Sequence, residues 1–220
     1  MSQNLFQSIY HYTFTKDLIS FLSVRIFQPN EFILKAGDKI DGIYFLLSGR
    51  YMVSNLEVTG KELLLRYCQR PAIMGDIEIF AECLVESNCI AVEPCEVLFV
   101  PLEVYEEHLK FDSKFNQLLL KELAYKLRTC TISSRVNALS PVNVRLAAYL
   151  CTVECPSHLN QYIKTNSLDD VASLIGTTKR HLNRILKDWT EKEIIKREEN
   201  EIRILNGDKI KEISENVRFE

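Results

Sequence analysis

The chain contains no run of 18 apolar residues, and its first residues, Met1-Ser-Gln-Asn, are not a basic segment followed by an apolar one. Neither a membrane span nor a secretory signal is expected, and the expected location is the cytoplasm. It has no C-x-x-C pair. Its seven cysteines stand at 68, 83, 89, 95, 130, 151 and 155, so none precedes position 68. In a reducing compartment such scattered thiols are expected to act as small apolar side chains. Cys83, Cys89 and Cys95 recur every six residues and Cys151 and Cys155 sit at a helix end, which leaves a redox switch as the alternative. The four histidines, at 11, 108, 158 and 181, lack metal-ligand or catalytic spacing. No nucleophile elbow, phosphate-binding glycine loop or carboxylate pair occurs. An enzyme is not expected.

Positive charge is scarce in the first half. Residues 1–109 carry 8 Lys and Arg against 15 Asp and Glu, residues 110–138 carry 6 against 2, and residues 139–220 carry 13 against 13. The net charge of −3 argues against a general coat for nucleic acid but leaves room for a local basic element. At 46% hydrophobic and 26% charged residues, the chain has the composition of an ordinary globular protein with ample core for one or two domains.

What the first half does have is short runs rich in β-branched and aromatic residues: Val24–Phe27, Phe32–Leu34, Ile43–Leu47, Tyr51–Ser54, Leu63–Tyr67, Cys89–Val92 and Glu96–Val100. Turns at Ala36-Gly37-Asp38, Ser48-Gly49-Arg50, Thr59-Gly60-Lys61 and Gly75-Asp76 separate them. This spacing predicts a compact all-β sandwich or barrel, preceded by short helical pieces at Leu5–Tyr12 and Lys16–Leu22.

From about Ser113 to Leu139 there is neither Gly nor Pro, and one long helix of ~38 Å is predicted. Leu120, Leu123, Leu127, Cys130, Ser134 and Asn137 alternate three- and four-residue spacings, as in a two-helix seam. The helix either lies on its own sheet or pairs with a second copy. Its polar C-terminal part suggests register control or a ligand between the helices.

The last third reads as helical, with a helix over Asn143–Cys155 and another from Leu168, capped by Ser167 and favoured at its start by Asp169 and Asp170. This second helix stops at Gly176. The stretch Thr177–Lys187 follows as a basic helix with an apolar stripe of Leu182, Ile185 and Leu186. Two short helices joined by a glycine turn make a helix-turn-helix. Ile194–Arg197 and Glu201–Leu205 then form a two-stranded wing whose acidic tip, Glu198-Glu199, is poorly suited to phosphate. With the stripe packed inward, Thr178, Lys179, Arg180, His181 and Arg184 lie at the exposed N-terminal end of the basic helix. A helix fits the major groove, and Arg donors match guanine O6 and N7. Arg180 and Arg184 are the expected base readers. Lys179 and Lys187 are expected to anchor phosphates, and His181 donates to DNA or covers the neighbouring turn.

In this order of parts the chain resembles the Crp/Fnr family of bacterial transcription regulators. The stretch Gly176-Thr-Thr-Lys-Arg-His-Leu-Asn-Arg-Ile-Leu is similar to the family pattern G-x-S-R-x-x-x-x-R-x-L. Arg145-Leu-Ala-Ala-Tyr-Leu, Tyr44-Phe-Leu-Leu-Ser-Gly49 and Met74-Gly75-Asp76 match further family segments. The resemblance implies an α+β fold: a cyclic-nucleotide-binding-type β-roll as effector or sensor domain over residues 1–110, a dimerisation helix over 111–139, and a winged helix-turn-helix DNA-binding domain over 140–220. It implies a homodimer seam along Leu120, Leu123, Leu127, Cys130 and Ser134, and an effector pocket near Gly75, Asp76, Cys130 and Thr131. Its partners would be double-stranded DNA on a palindromic operator, RNA polymerase and a small effector that the sequence does not identify.

Three departures stand out. The cAMP-binding members end the segment after the last Gly-Glu in an Arg-Ser pair that holds the phosphate. Here Ile77–Ile90 contains no Arg or Lys and carries Glu78, Glu82 and Glu86, so tight cAMP binding is not expected. The iron–sulfur members carry cysteines near the N-terminus, so that cluster is not expected either. On the basic helix, Arg180 stands where the family often has Glu, which predicts a different base at that position. The rival reading is a ligand-binding or redox-sensing interaction module with little DNA binding of its own.

Overall fold

A computed structural model describes residues 2–56, 62–69, 71–153, 162–164, 168–198 and 201–215. The chain forms two compact units, Met1–Asn55 with Tyr67–Leu127 and Leu56–Arg66 with Arg128–Glu220. The expected hairpin tip at Thr59-Gly60-Lys61, the Ser167 cap, Cys155 and the wing-tip residues 199–200 lie outside the described residues.

α1 (Ser2–Tyr10) and α2 (Lys16–Ile19) precede two antiparallel sheets. One has the order β1-β8-β3-β6, from Ser23–Phe27, Cys95–Pro101, Gly42–Ser48 and Ile73–Met74. The other has the order β2-β7-β4-β5, from Phe32–Leu34, Asn88–Ala91, Arg50–Leu56 and Glu62–Gln69. Between β3 and β8 the register pairs Tyr44 with Phe99 and Phe45 with Leu98. Residues of β3 that alternate in sequence go to different cores. Ile43, Phe45 and Leu47 join Phe6, Tyr10 and Phe14, whereas Tyr44 and Leu46 join Tyr51, Val97 and Phe99. Both faces of β3 are therefore buried, which explains its unbroken apolar run. The phenol of Tyr10 reaches the carbonyls of Leu46 and Ala72, each at 2.8 Å, and burial pushes its pKa up.

Two elements here were not expected from the sequence, β6 and α3 (Asp76–Ala81). Gly75, between them, has φ +87, and a Cβ there would come 2.5 Å from the Gly42 carbonyl. This corner admits only glycine without strain.

α4 (Leu102–Val104) continues into a π-helical turn, Tyr105–Leu109, and α5 then runs through Ser113–Leu139. Asp112 caps α5: its Oδ1 accepts from the Lys114 and Phe115 amides at 2.8 and 3.0 Å, and Oδ2 accepts from the Tyr12 phenol at 2.8 Å. The Phe115 hydrogen bond, more than any other contact, lowers the Asp112 pKa. Phe115 and Leu119 fill the core beneath.

Further along the same side of α5, Lys126 is also buried. Its ammonium lies 2.5 Å from Asp76 Oδ1 and donates to the Ile73 carbonyl at 2.8 Å. Asp76 is 1% exposed, and its Oδ2 has no hydrogen-bond partner among the described residues. The pair therefore clasps α5 to the β6–α3 corner.

In the second unit, α6 (Val142–Val153) is wrapped nearly all round: Leu146, Ala147, Ala148, Tyr149, Leu150 and Cys151 are all buried. It packs against α9 (Gly207–Ile213), another element not expected from the sequence. Asn206 caps α9 by accepting from the Lys209 amide at 2.9 Å. A three-stranded sheet, β10-β11-β9, joins Ile195–Glu198, Glu201–Ile204 and Tyr162–Lys164.

Breaking a buried pair from one side leaves an uncompensated charge, whereas removing both charges does not. Lys126→Met is expected to lower the unfolding free energy by about 3–5 kcal/mol, and Lys126→Met with Asp76→Asn to recover more than half of it. Urea unfolding followed by circular dichroism measures both. Equal losses in the single and double variants would contradict the coupling.

Candidate nucleic-acid interface

α7 (Leu168–Leu174) and α8 (Lys179–Glu191) pack together. Val171, Ala172 and Ile175 are buried on one side of the contact, and Leu182, Leu186 and Trp189 on the other. The stripe on α8 thus runs past Lys187, where the basic stretch ends, because Trp189 continues it one turn after Leu186. The turn between the helices is set by Gly176, at φ +62, where an added Cβ would meet Arg145 Nη1 at 3.0 Å. Arg145, on α6, gives Nη1 hydrogens to the carbonyls of Ile175 at 2.6 Å, Asn137 at 3.2 Å and Gly176 at 3.3 Å. One guanidinium thus ties the end of α5, the start of α6 and the turn before α8. Asn137 donates its amide to the Leu174 carbonyl at 3.4 Å, so this residue of the expected seam is engaged with α7.

Thr178 is the N-cap of α8. Its backbone is extended and its hydroxyl accepts from the His181 amide at 3.2 Å. The remaining first-turn N–H groups point along the helix axis, where an anion is favoured. With Leu182 and Leu186 turned inward, Lys179, Arg180, Arg184 and Lys187 are all exposed and His181 is half-buried. The structure therefore brings together all six residues expected at this surface, Thr178 included. Arg180 and Arg184, four apart, share one face.

Their contacts differ. Lys179 pairs with Asp169 of α7 at 2.7 Å, a residue whose place in the sequence suggests only a favourable charge at the helix start. Arg184 Nη2 lies 3.0 Å from His181 Nε2. Lys187 is 3.8 Å from Glu191. Arg180 makes no hydrogen bond or ion pair among the described residues. From the wing, Arg197 donates to Asn183 Oδ1 on α8 at 2.7 Å, and Lys196 pairs with Glu198 at 2.7 Å. Asn183 and Asp169 are the residues of this surface that sequence reasoning missed. Their partners lie on other elements, so no local pattern marks them.

Elsewhere, Leu120 and Leu127 are 59% and 70% exposed. Cys130 and Ser134 are exposed as well, and Leu123 is half-buried. Of the four residues expected at an effector pocket, Gly75 and Asp76 are buried, whereas Cys130 and Thr131 are exposed on α5. The side chain on Asp76 is that of Lys126. Beside it, burial first and the Asp76 charge second raise the Glu78 pKa. Burial pushes the Cys95 thiol up to about 11, which keeps it protonated at neutral pH. Among the described residues, no helix is long and apolar enough to cross a membrane, and no group of three or more His, Cys, Asp or Glu is placed to hold a metal ion.

Comparison with known proteins bears on both units. Residues 24–110 match the cyclic nucleotide-binding domain family, and residues 144–213 match the Crp-like helix-turn-helix domain family. The chain is 25% identical over 180 residues to a global nitrogen regulator of Nostoc, covering 78% of this chain and 80% of that one. It is 21% identical to the cAMP-activated global transcriptional regulator CRP of Pasteurella multocida, covering 80% and 87%, and 24% identical to an anaerobic regulatory protein of Bacillus subtilis, covering 83% and 79%. Among solved structures, a putative Crp/Fnr-family regulator from Eubacterium rectale superposes with a TM-score of 0.75 at 14% identity, over 90% of this chain and 92% of that one. A CRP-family regulator from Thermus thermophilus does so with a TM-score of 0.70 at 16% identity, over 89% and 98%.

If α8 meets DNA, Asp169 competes with a phosphate for Lys179. Asp169→Asn is expected to steepen the slope of log affinity against log salt by about 1, read by fluorescence anisotropy at several salt concentrations. An unchanged slope would show that Asp169 does not compete with phosphate for Lys179.

Proposed function

The chain belongs to the Crp/Fnr family of DNA-binding transcription regulators, and we propose that it acts as a homodimer on a palindromic operator without needing cAMP. The observation that carries the DNA-reading surface is the N-terminal end of α8. There Thr178 caps the helix, Arg180 and Arg184 share an exposed face, and no acid falls between Lys179 and Lys187. In this reading Arg180 and Arg184 meet base edges, while Lys179, Lys187 and the Thr178 end meet phosphates. Residues 1–110 serve as the sensor domain, 111–139 as the dimerisation helix and 140–220 as the DNA-binding domain. RNA polymerase and a small effector are the further partners, and the cytoplasm is the location.

The homodimer is supported by the outer side of α5. Leu120 and Leu127, one heptad apart, leave large apolar side chains in water, and a second copy of the helix would cover them. Independence from cAMP is supported by the corner at Asp76. A cyclic phosphate there would meet Asp76, Glu78, Glu82 and Glu86 with no Arg or Lys in Ile77–Ile90. The cation that does reach this corner, Lys126, is already paired with Asp76.

Leu127→Glu, at a solvent-exposed position, is expected to give a folded monomer by sedimentation equilibrium. Its affinity for a palindromic fragment should fall by roughly 100-fold, because the second half-site no longer binds intramolecularly. A dimer that survives the substitution would remove α5 from the interface. Titration calorimetry with cAMP is expected to show no saturable heat, and a micromolar isotherm would refute the cAMP-independent reading.

A further inference from the structure

Of the two arginines on the exposed face of α8, one stands alone and the other is held. Arg184 Nη2 lies 3.0 Å from His181 Nε2, one helical turn back. A guanidinium has five donors and no acceptor. The contact therefore requires the lone pair on Nε2, and the neutral imidazole carries its proton on Nδ1. The backbone of His181 is fixed at the helix cap. Its amide donates to Thr178 Oγ1 at 3.2 Å, and its half-buried ring borders a cleft shared with Pro141, Asn143, Ile185 and Trp189. The ring, on a short side chain one turn back, thus offers an acceptor to a long side chain that would otherwise sample many rotamers. One Nη2 hydrogen goes to the ring, and the guanidinium keeps a two-donor fork free.

We propose that His181 is a positioning residue for Arg184: it holds the guanidinium at the N-terminal end of α8 so that the free fork selects guanine, and it touches no base itself. The role rests on the DNA-reading function proposed above. It also separates the two arginines. Arg180, which has no partner among the described residues, tolerates more bases at its position, whereas Arg184 is strict at its own.

Selection of binding sites from a randomised duplex library tests this with the full-length protein and its Arg184→Ala, His181→Ala and His181→Gln variants. Arg184→Ala identifies the base pair that Arg184 reads. At that base pair, His181→Ala is expected to cut the preference for guanine by roughly tenfold, with preferences elsewhere and the salt dependence unchanged. His181→Gln, whose Oε1 can accept from Nη2, is expected to restore most of it. Circular dichroism checks that each variant is folded. The role is overturned if His181→Ala leaves that preference within about twofold, or if it flattens the salt slope by about 1, as a phosphate ligand would. It is also overturned if the Gln variant behaves like the Ala variant. A wild-type protein that enriches no site at all would instead remove the DNA-reading function, and this role with it.

Discussion

Arg145 reaches from α6 to the turn before α8 and shares its Nη1 hydrogens among the carbonyls of Ile175, Gly176 and Asn137. Hydrogen bonds from a charged donor are worth about 1.5–3 kcal/mol each when well made, so this one side chain outweighs most local contacts in the second unit. Its reach also explains the glycine. Gly176 adopts a left-handed backbone and leaves open the space in which Arg145 sits. The direction in which α8 leaves the turn, and hence the set of side chains it shows to solvent, follows from that arrangement. Arg180 and Arg184 are exposed because Leu182, Leu186 and Trp189 have been turned inward against α7 and the sheet behind.

The first unit has a comparable fixed point. Lys126 crosses from α5 to Asp76 and the Ile73 carbonyl. A buried ion pair contributes little net stability once desolvation is counted, but it is intolerant of losing one partner. It therefore fixes where α5 sits on the β6–α3 corner more than it strengthens the fold. The same helix carries Phe115, Leu119 and Lys126 inward and Leu120 and Leu127 outward. The outward apolar residues are what the proposed pairing with a second copy would cover.

The parts of this structure that were legible in the sequence are those whose causes are local. A cap at Thr177 or Thr178, the stripe of Leu182 and Leu186, and the run of basic residues all lie within a dozen positions, so α8 and its exposed end follow from the sequence, and the structure selects Thr178 as the cap. The β3 and β8 strands announce themselves by unbroken apolar runs. The omissions have a common origin in distant partners. Asp-Ile-Glu-Ile-Phe-Ala at 76–81 alternates like a strand, and Lys126, which clasps its first residue, lies 50 positions away. A lysine in a charged helix gives no sign that it is buried. The same holds for Asp169 on Lys179 and Asn183 on Arg197, pairs formed between elements. α9 has a local cause as well: Asn206 before Gly-Asp-Lys, with Ile210 and Ile213 three apart, is a capped amphipathic turn, hidden by its two lysines, Asp208 and Glu212.

The central claim is that the N-terminal end of α8 enters the major groove and reads guanine through arginine. Methylation interference addresses it directly, because dimethyl sulfate modifies guanine at N7 in the major groove and adenine at N3 in the minor groove. On a fragment bound by the full-length protein, guanine N7 methylation should block binding in two segments about one helical turn apart. Arg184→Ala should relieve the block at one guanine in each segment. Interference confined to adenine N3, or guanine interference that Arg184→Ala leaves untouched, would contradict the account.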